Sequence, residues 1–396
     1  MFTVDTITIV ISITLLVTAI VTAMVNIFFR SVKAAKENGN ERISEEKGFP
    51  YPSVSVLLTI HDNARQLESH LPIFLSQDYP SAYEVIVVVD KCEDDTDDVL
   101  KQFSSRYPNL YVTFIPDSSR YMSRHKLAIT LGVKAAKNNW ILLTEAECYP
   151  ISDQWLKTMA RNCDEHTDMV MGYANYSGDS SDYHRFEHLH SSLYMLRHAQ
   201  RGTAYGCKQG NLMFRKKMFM EGRGFEGNLK FVRGEYDFIV NKYAQRHNTA
   251  IEVHPDAWIK IEALGKREWN NQHLYYMETR KHLKRSFGHR VLFHTDMTLL
   301  HFNYLLIVAA FVYAPILSAI HLETIHAWIV VASAFMSLIL TLVLRLVFAQ
   351  KTIRRFHAEI PMWKSILFEW VLVWKNIGYK LKYRFADKYD FISHKI

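Results

Sequence analysis

Cysteine is scarce in this chain, with four in 396 residues, and proline and glycine number only ten and fifteen. So few cysteines exclude a disulfide-stapled miniprotein, and Cys92, Cys148, Cys163 and Cys207 lack metal-type spacing. So little glycine excludes a collagen-like fibre, and 49% hydrophobic residues against 22% charged exclude a disordered chain. Internal repeats and low-complexity tracts are absent. Acidic residues are outnumbered, 40 against 47 Lys+Arg, for a formal charge of +7. Most of that excess lies in 351–396, where ten Lys/Arg meet four Asp/Glu. The remainder is close to neutral, a membrane-flank pattern rather than a nucleic-acid groove, and no nucleic-acid partner is expected. The length suffices for two or three domains and a sizeable core.

Long apolar runs are what the chain does have. Ile7–Phe29 carries no charge and is long enough to cross a ~30 Å hydrocarbon layer as a helix. Without a basic n-region or a small-residue cleavage site, it does not read as a removable signal peptide. Met297–Ile320 and Ala327–Ala349 are two further spans, with a buried hairpin as the lesser alternative. Arg345 falls near the end of the last, where it is expected to snorkel to the interface. Arg30, Lys33 and Lys36 follow the first span. Arg280, Lys281, Lys284, Arg285 and Arg290 precede the second, and Lys351, Arg354 and Arg355 follow the third. Three spans with the N-terminus outside put all these cations on one side, making 30–296 and the tail cytoplasmic. Cysteine use agrees with a reducing compartment. The expected localisation is the inner (cytoplasmic) membrane, multi-pass. Trp363–Trp374 is too short to span. With Lys364, Lys375, Lys380, Lys382 and Arg384 around it, it reads as an interfacial helix on anionic lipid, in preference to a buried core helix.

The expected domains are therefore an N-terminal transmembrane helix (1–30), a linker (31–50), a globular domain (51–290), a transmembrane hairpin (297–349) and a basic interfacial tail (350–396). The linker rests on the polar run 37–48. From Ser53, SVSVLLTI, YEVIVVV (83–89), Leu110–Ile115 and WILL (140–143) read as buried strands. ARQLESHLPIFLSQ, VLKQFSSRY and Lys126–Lys137 read as helices between them. This alternation predicts an α/β fold, a mostly parallel sheet with helices on both faces. Ligands of such sheets bind beyond the carboxyl ends of the strands. The loops to inspect are thus 61–63, 90–94 and 144–148.

Asp90 and Asp94 flank the turn after YEVIVVV. Asp90 is placed to accept hydrogen bonds from a sugar hydroxyl or a base N–H, whereas Asp94 or Asp95 also reads as a helix cap. Glu145 and Glu147 follow WILL. Two carboxylates two residues apart can share a divalent cation, although the pattern alone is a weak signal. His184 and His188, four apart on one helical face, are spaced as a metal pair. A polar helix over a cleft or a membrane surface is the simpler reading.

The succession SVSVLLTIHDN, YEVIVVVDKCEDDT and KLAITLGVKAAKNNWILLTEAECYP resembles the N-terminal half of membrane-bound family-2 glycosyltransferases of GT-A fold, over residues 53–160. GCKQGNLMFRKKMF and RGEYDFIVNKYA resemble their acceptor-side and catalytic-base segments. The resemblance implies an inverting hexosyltransferase of polysaccharide-type biosynthesis with a nucleotide-sugar donor, a lipid-linked or glycan acceptor, and Mg2+ or Mn2+. It further implies donor contacts from His61, Asp62, Asp90, Asp94, Lys126 and Glu145, with Lys126 near the diphosphate. Metal ligation falls to Glu145 and Glu147, base catalysis to Asp237 or Glu235, and acceptor contacts to Gly210, Asn211, Arg280 and His282. Three positions depart from the pattern. Asp-x-Asp has become Glu-x-Glu, and Tyr236 stands where the base is usual, with Asp237 one residue on, rotated by roughly 100°. The membrane-proximal motif is reduced to Glu278-Thr279-Arg280-Lys281-His282 with no Trp. The rival reading is a catalytically impaired relative that binds nucleotide or glycan as a scaffold.

Overall fold

The computed structural model describes residues 4–30, 32, 50–116, 123–208, 210–320 and 324–392; the polar run 37–48 read as a linker lies outside them. The chain divides into two units, Met1–Ser31 with Arg285–Trp374, and Val32–Lys284 with Lys375–Ile396. It opens with α1 (Thr6–Val25), capped by Asp5, whose carboxylate accepts from the Thr8 N–H at 3.3 Å. The helix stops short of Phe29 because the Asn26 side chain takes the Phe28 N–H at 2.7 Å and turns Ile27–Phe29 into a 3-10 turn.

The globular unit follows as β1 (Val54–Ile60), α2 (Ala64–Leu75), β2 (Tyr83–Val89), α3 (Thr96–Arg106), β3 (Leu110–Phe114), α4 (Arg124–Ala135) and β4 (Trp140–Glu145). The four strands pair in parallel in the order β3-β2-β1-β4. Every residue of β1 is buried, as a run of β-branched and aliphatic residues covered on both faces should be. Helix α2 turns Leu67, Leu71, Phe74 and Leu75 inwards, into a core shared with Val56, Val87, Leu142 and Trp155. Next come β5 (Cys148–Pro150), α5 (Trp155–Ala160), β6 (Met169–Gly172), β7 (Ala174–Tyr176), α6 (Asp182–Arg201), β8 (Leu212–Arg215), α7 (Lys216–Glu221), α8 (Glu235–Tyr243), β9 (Thr249–Glu252), β10 (Ile259–Ile261) and α9 (Lys266–His282). Strand β8 runs antiparallel between β4 and β6, and β9 lies parallel on β6. The result is a seven-stranded sheet, β3-β2-β1-β4-β8-β6-β9, with a small second sheet, β5-β10-β7. The α/β, mostly parallel architecture expected from the sequence is the one observed.

Helices α10 (Phe287–Ile320), α11 (Ile325–Arg355) and α12 (Met362–Phe385) follow, with a 3-10 turn at Lys388–Phe391 after them. Among the described residues, three segments are long and apolar enough to cross a membrane, Thr6–Val25, His294–Ala319 and Ile325–Arg355. Small residues (Ala310, Ala314, Ala327 and Ala334) let α1, α10 and α11 approach closely around Leu15, Ile307 and Val330. Polar side chains link the same helices, Thr18 to Asn303 at 2.8 Å and Asn303 to Thr341 at 2.9 Å. Arg345 does not snorkel: it is 2% exposed. Its guanidinium donates to both Glu369 oxygens at 2.8 and 3.0 Å, to Asp296 at 3.2 Å and to the Thr22 carbonyl at 2.8 Å. Partners inside the bundle replace the water it was expected to seek. From Lys375 onward, α12 belongs to the globular unit, where Tyr379, Tyr383 and Phe391 pack with Met277.

Candidate active site

The parallel register puts the ends of β1, β2 and β4 side by side, with Thr59 opposite Glu145 and Ile60 opposite Val89. The loops leaving these strands therefore share one rim. Asp62 sits at φ 52°, a left-handed conformation that Asp tolerates, and its Oδ1 accepts from the Glu93 N–H at 2.7 Å. Asn63 donates to Glu147 Oε1 at 3.1 Å, tying the β1 loop to the one after β4. Asp90 Oδ1 accepts from the Lys91 N–H at 2.7 Å and from Arg124 Nε at 2.5 Å. Burial alone would raise the Asp90 carboxyl, but Arg124 and the Lys91 N–H outweigh it and hold it below the usual range. Exposed His61 lies 3.8 Å from Asp62.

Asp94 is a double cap. It takes the Ala64 N–H at 2.8 Å at the start of α2 and the Thr96 N–H at 3.1 Å at the start of α3. The capping reading accounts for both its oxygens, and it explains why α3 begins at Thr96.

Glu145 is half-buried at the tip of β4. Its pKa is pushed up to about 7, first by burial, then by Glu147 and Glu235, with His125 and Arg233 opposing. A divalent cation beside Glu145 would relieve that charge. Asp62, Cys92 and Asp94 also bring ligand atoms within 4.8 Å of one another. The Asp94 oxygens there also accept the Ala64 and Thr96 N–H groups.

Lys126 is placed differently from what the resemblance implies. It is fully buried, and its ammonium donates to the carbonyls of Phe231 and of Arg233, the latter at 3.3 Å. It also lies 3.6 Å from Glu235 and over the rings of Phe225 and Phe238. The side chain is a strut beneath the 231–234 segment. Gly234 ends that segment at φ 99°, where a Cβ would meet Thr279 at 2.6 Å, so this entry into α8 requires glycine.

The sequence reading passed over His125 and Arg124, which occupy the first turn of α4 directly at the rim. His125 Nε2 lies 2.6 Å from Thr59 Oγ1, and Nδ1 lies 3.6 Å from Glu235 and 3.2 Å from Arg233. Burial disfavours the imidazolium, but Glu235 prevails and raises the His125 pKa. Burial likewise works against the Glu235 carboxylate, and His125, Lys126 and Arg233 together keep it ionised well below the usual range. The only sequence signal was two cationic residues beside a lysine already singled out.

Asp237 is buried and accepts from the Cys207 N–H at 3.2 Å, so it faces the 203–211 loop. Gly210 in that loop has φ 90°, and a Cβ there would meet Cys148 Sγ at 2.7 Å. Asn211 is 1% exposed and spends its amide on Trp155, Tyr173 and Ala257 at 2.9–3.2 Å. It anchors the loop from inside the core. Arg280 and His282 lie on α9. His282 pairs with Glu278 at 3.1 Å and packs on Phe231, and Tyr383 bonds both Glu278 and Lys281. His184 and His188 do not converge on one point. His184 stacks on Trp269 with ring centroids 3.6 Å apart, and His188 Nε2 meets the Ala174 carbonyl at 2.9 Å.

Residues 13–384 match glycosyl transferase family 21. Among curated proteins, glycosyltransferase AglE of Haloferax volcanii is 31% identical over 109 residues, 27% of this chain and 34% of that protein. The chain thus aligns with about a third of that relative's length. Among solved structures, mannosyltransferase PcManGT of Pyrobaculum calidifontis, in complex with GDP-Man and Mn2+, is similar over 83% of this chain and 98% of that one, at 15% identity and TM-score 0.48. S. aureus TarS 1-349 in complex with UDP-GlcNAc is similar over 63% and 70%, at 14% identity and TM-score 0.41. The resemblance seen in the sequence holds at the level of glycosyltransferase, while the family matched is 21 where 2 was expected. With nearly its whole length covered by that match, most of its three apolar candidate spans included, the chain belongs to glycosyl transferase family 21.

Proposed function

We propose that this glycosyltransferase is inverting and moves a hexose from a nucleotide-sugar donor to a lipid-linked or glycan acceptor at the cytoplasmic face of the inner membrane. One observation carries the reading: Asp62, Asp90, Glu145 and Glu147 leave three neighbouring parallel strands at one carboxyl-end rim. Asp90, oriented by Arg124, contacts the nucleoside, with His61 and Asp62 beside it. Glu145 and Glu147 would hold a divalent cation, which supplies charge compensation at the departing diphosphate. The acceptor hydroxyl attacks the anomeric carbon as the bond to the diphosphate oxygen breaks. Its proton passes to Asp237, which borders the acceptor-side loop, while Glu235 keeps His125 and Lys126 in place. The cationic flanks of the spans support a cytoplasmic globular unit. Exposed Trp363, Leu367, Trp374, Leu381 and Phe385 on α12 support an interfacial role for that helix.

The test uses the purified full-length chain in detergent with Mn2+ or Mg2+, offered UDP-glucose, UDP-GlcNAc and GDP-mannose. At least one should be hydrolysed or transferred, chelation should stop it, and Asp90→Ala should abolish nucleotide binding. Unchanged nucleotide affinity in Asp90→Ala refutes the site.

A further inference from the structure

Tyr236 is the second residue of α8, 3% exposed, and its hydroxyl has no hydrogen-bond partner among the described residues. A buried hydroxyl without a partner costs stability, so native folds seldom retain one without a use for it. The surroundings indicate what that is. The two chain neighbours of Tyr236 belong to the site: Glu235 lies 3.6 Å from His125 at the rim, and Asp237 accepts from the Cys207 N–H at 3.2 Å. A phenol is protonated at neutral pH, so it offers an O–H there. Its backbone is held from two sides. Gly234 sets the entry into α8, and Lys126 grips the carbonyls of Phe231 and Arg233 just upstream. The ring therefore has little freedom to swing towards solvent.

We propose that the Tyr236 hydroxyl hydrogen-bonds a hydroxyl of the sugar being transferred, so that it recognises the sugar part of the donor rather than the nucleotide. The inference rests on the donor site proposed above and adds a specificity residue to it. A phenol O–H both donates to and accepts from a sugar hydroxyl, and a site built to bond a substrate hydroxyl discriminates against ligands lacking it.

The experiment compares wild type with Tyr236→Phe, which removes one oxygen and keeps the ring. Nucleoside diphosphates (UDP and GDP) and their sugar conjugates (UDP-glucose, UDP-GlcNAc and GDP-mannose) are titrated by calorimetry, and thermal midpoints are taken without ligand. The variant should bind the nucleoside diphosphate as wild type does and lose roughly 2- to 12-fold in affinity for the sugar conjugate, the range of one neutral hydrogen bond. Its ligand-free midpoint should equal or exceed that of wild type, because an unsatisfied hydroxyl has been removed from the interior. Equal sugar preference in the two proteins overturns the proposal, and so does a lower midpoint, which would reveal a protein partner for the hydroxyl. Failure of wild type to bind any of the nucleotides would instead overturn the donor site itself, and this proposal with it.

Discussion

Replacing Lys126 with Met tests whether this lysine is a strut or a ligand for the donor diphosphate. Methionine keeps an unbranched apolar stem in a site that is fully buried between Phe225 and Phe238. What disappears is the ammonium, with its bonds to the carbonyls of Phe231 and Arg233 and its ion pair to Glu235 at 3.6 Å. Glu235, itself 4% exposed, then relies on His125 at 3.6 Å and on Arg233. Removing one member of a buried pair costs about 3–5 kcal/mol, since the other charge is left uncompensated. For a unit of this size that corresponds to a drop of roughly 6–20 °C in the unfolding midpoint. The double variant Lys126→Met/Glu235→Gln removes both charges and should recover part of the loss, giving a coupling energy of about 1–3 kcal/mol in a double-mutant cycle. The assay is thermal unfolding of the detergent-solubilised chain, followed by tryptophan fluorescence, alongside UDP and GDP titrations below the midpoint. A midpoint within two degrees of wild type, about 1 kcal/mol or less by the same scale, together with a large loss of nucleotide affinity, would refute the strut and restore the diphosphate role.

Acid should weaken the globular unit before it protonates ordinary carboxylates. Burial pushes His188 down to about 3 and His184 to about 4, so both stay neutral in the fold, whereas the unfolded chain binds these protons below about pH 6.5. Stability is therefore full above that pH and falls as pH drops, by about 1 kcal/mol per unit for His188, and His188→Gln should flatten the slope between pH 7 and 5; an unchanged slope counts against it. In the unit that carries the three long apolar helices, Arg345→Met leaves Asp296 and Glu369 buried without their cation and should cost about 3–5 kcal/mol. Adding Asp296→Asn and Glu369→Gln should restore most of it in denaturant titrations. A single variant as stable as the parent would show that the cluster contributes nothing to holding the helices together.

Much of the architecture was legible in local pattern. Runs such as SVSVLLTI and YEVIVVV are long enough, and β-branched enough, to specify buried strands without reference to their neighbours. Helix-spaced Leu67, Leu71 and Phe74 specify a covering helix in the same way. The charge-free stretch of α1 and the apolar lengths of α10 and α11 depend on composition alone, which is why the three candidate spans emerged within a few residues of their observed bounds. The rim position of Asp90 and Glu145 also followed from strand order, because parallel strands present their carboxyl ends to the same side.

Side-chain direction was not legible. Lys126, Asn211 and Asp94 are polar residues in motif-like positions, yet the first holds carbonyls, the second pins a loop from the core and the third caps two helices. Arg345 finds its carboxylates 24 and 49 residues away. Residue type and spacing determined which elements form and which charges need compensation. Only the packed chain decided which partner compensates each charge, because a buried polar group takes the nearest partner the fold delivers, and that partner comes from distant sequence.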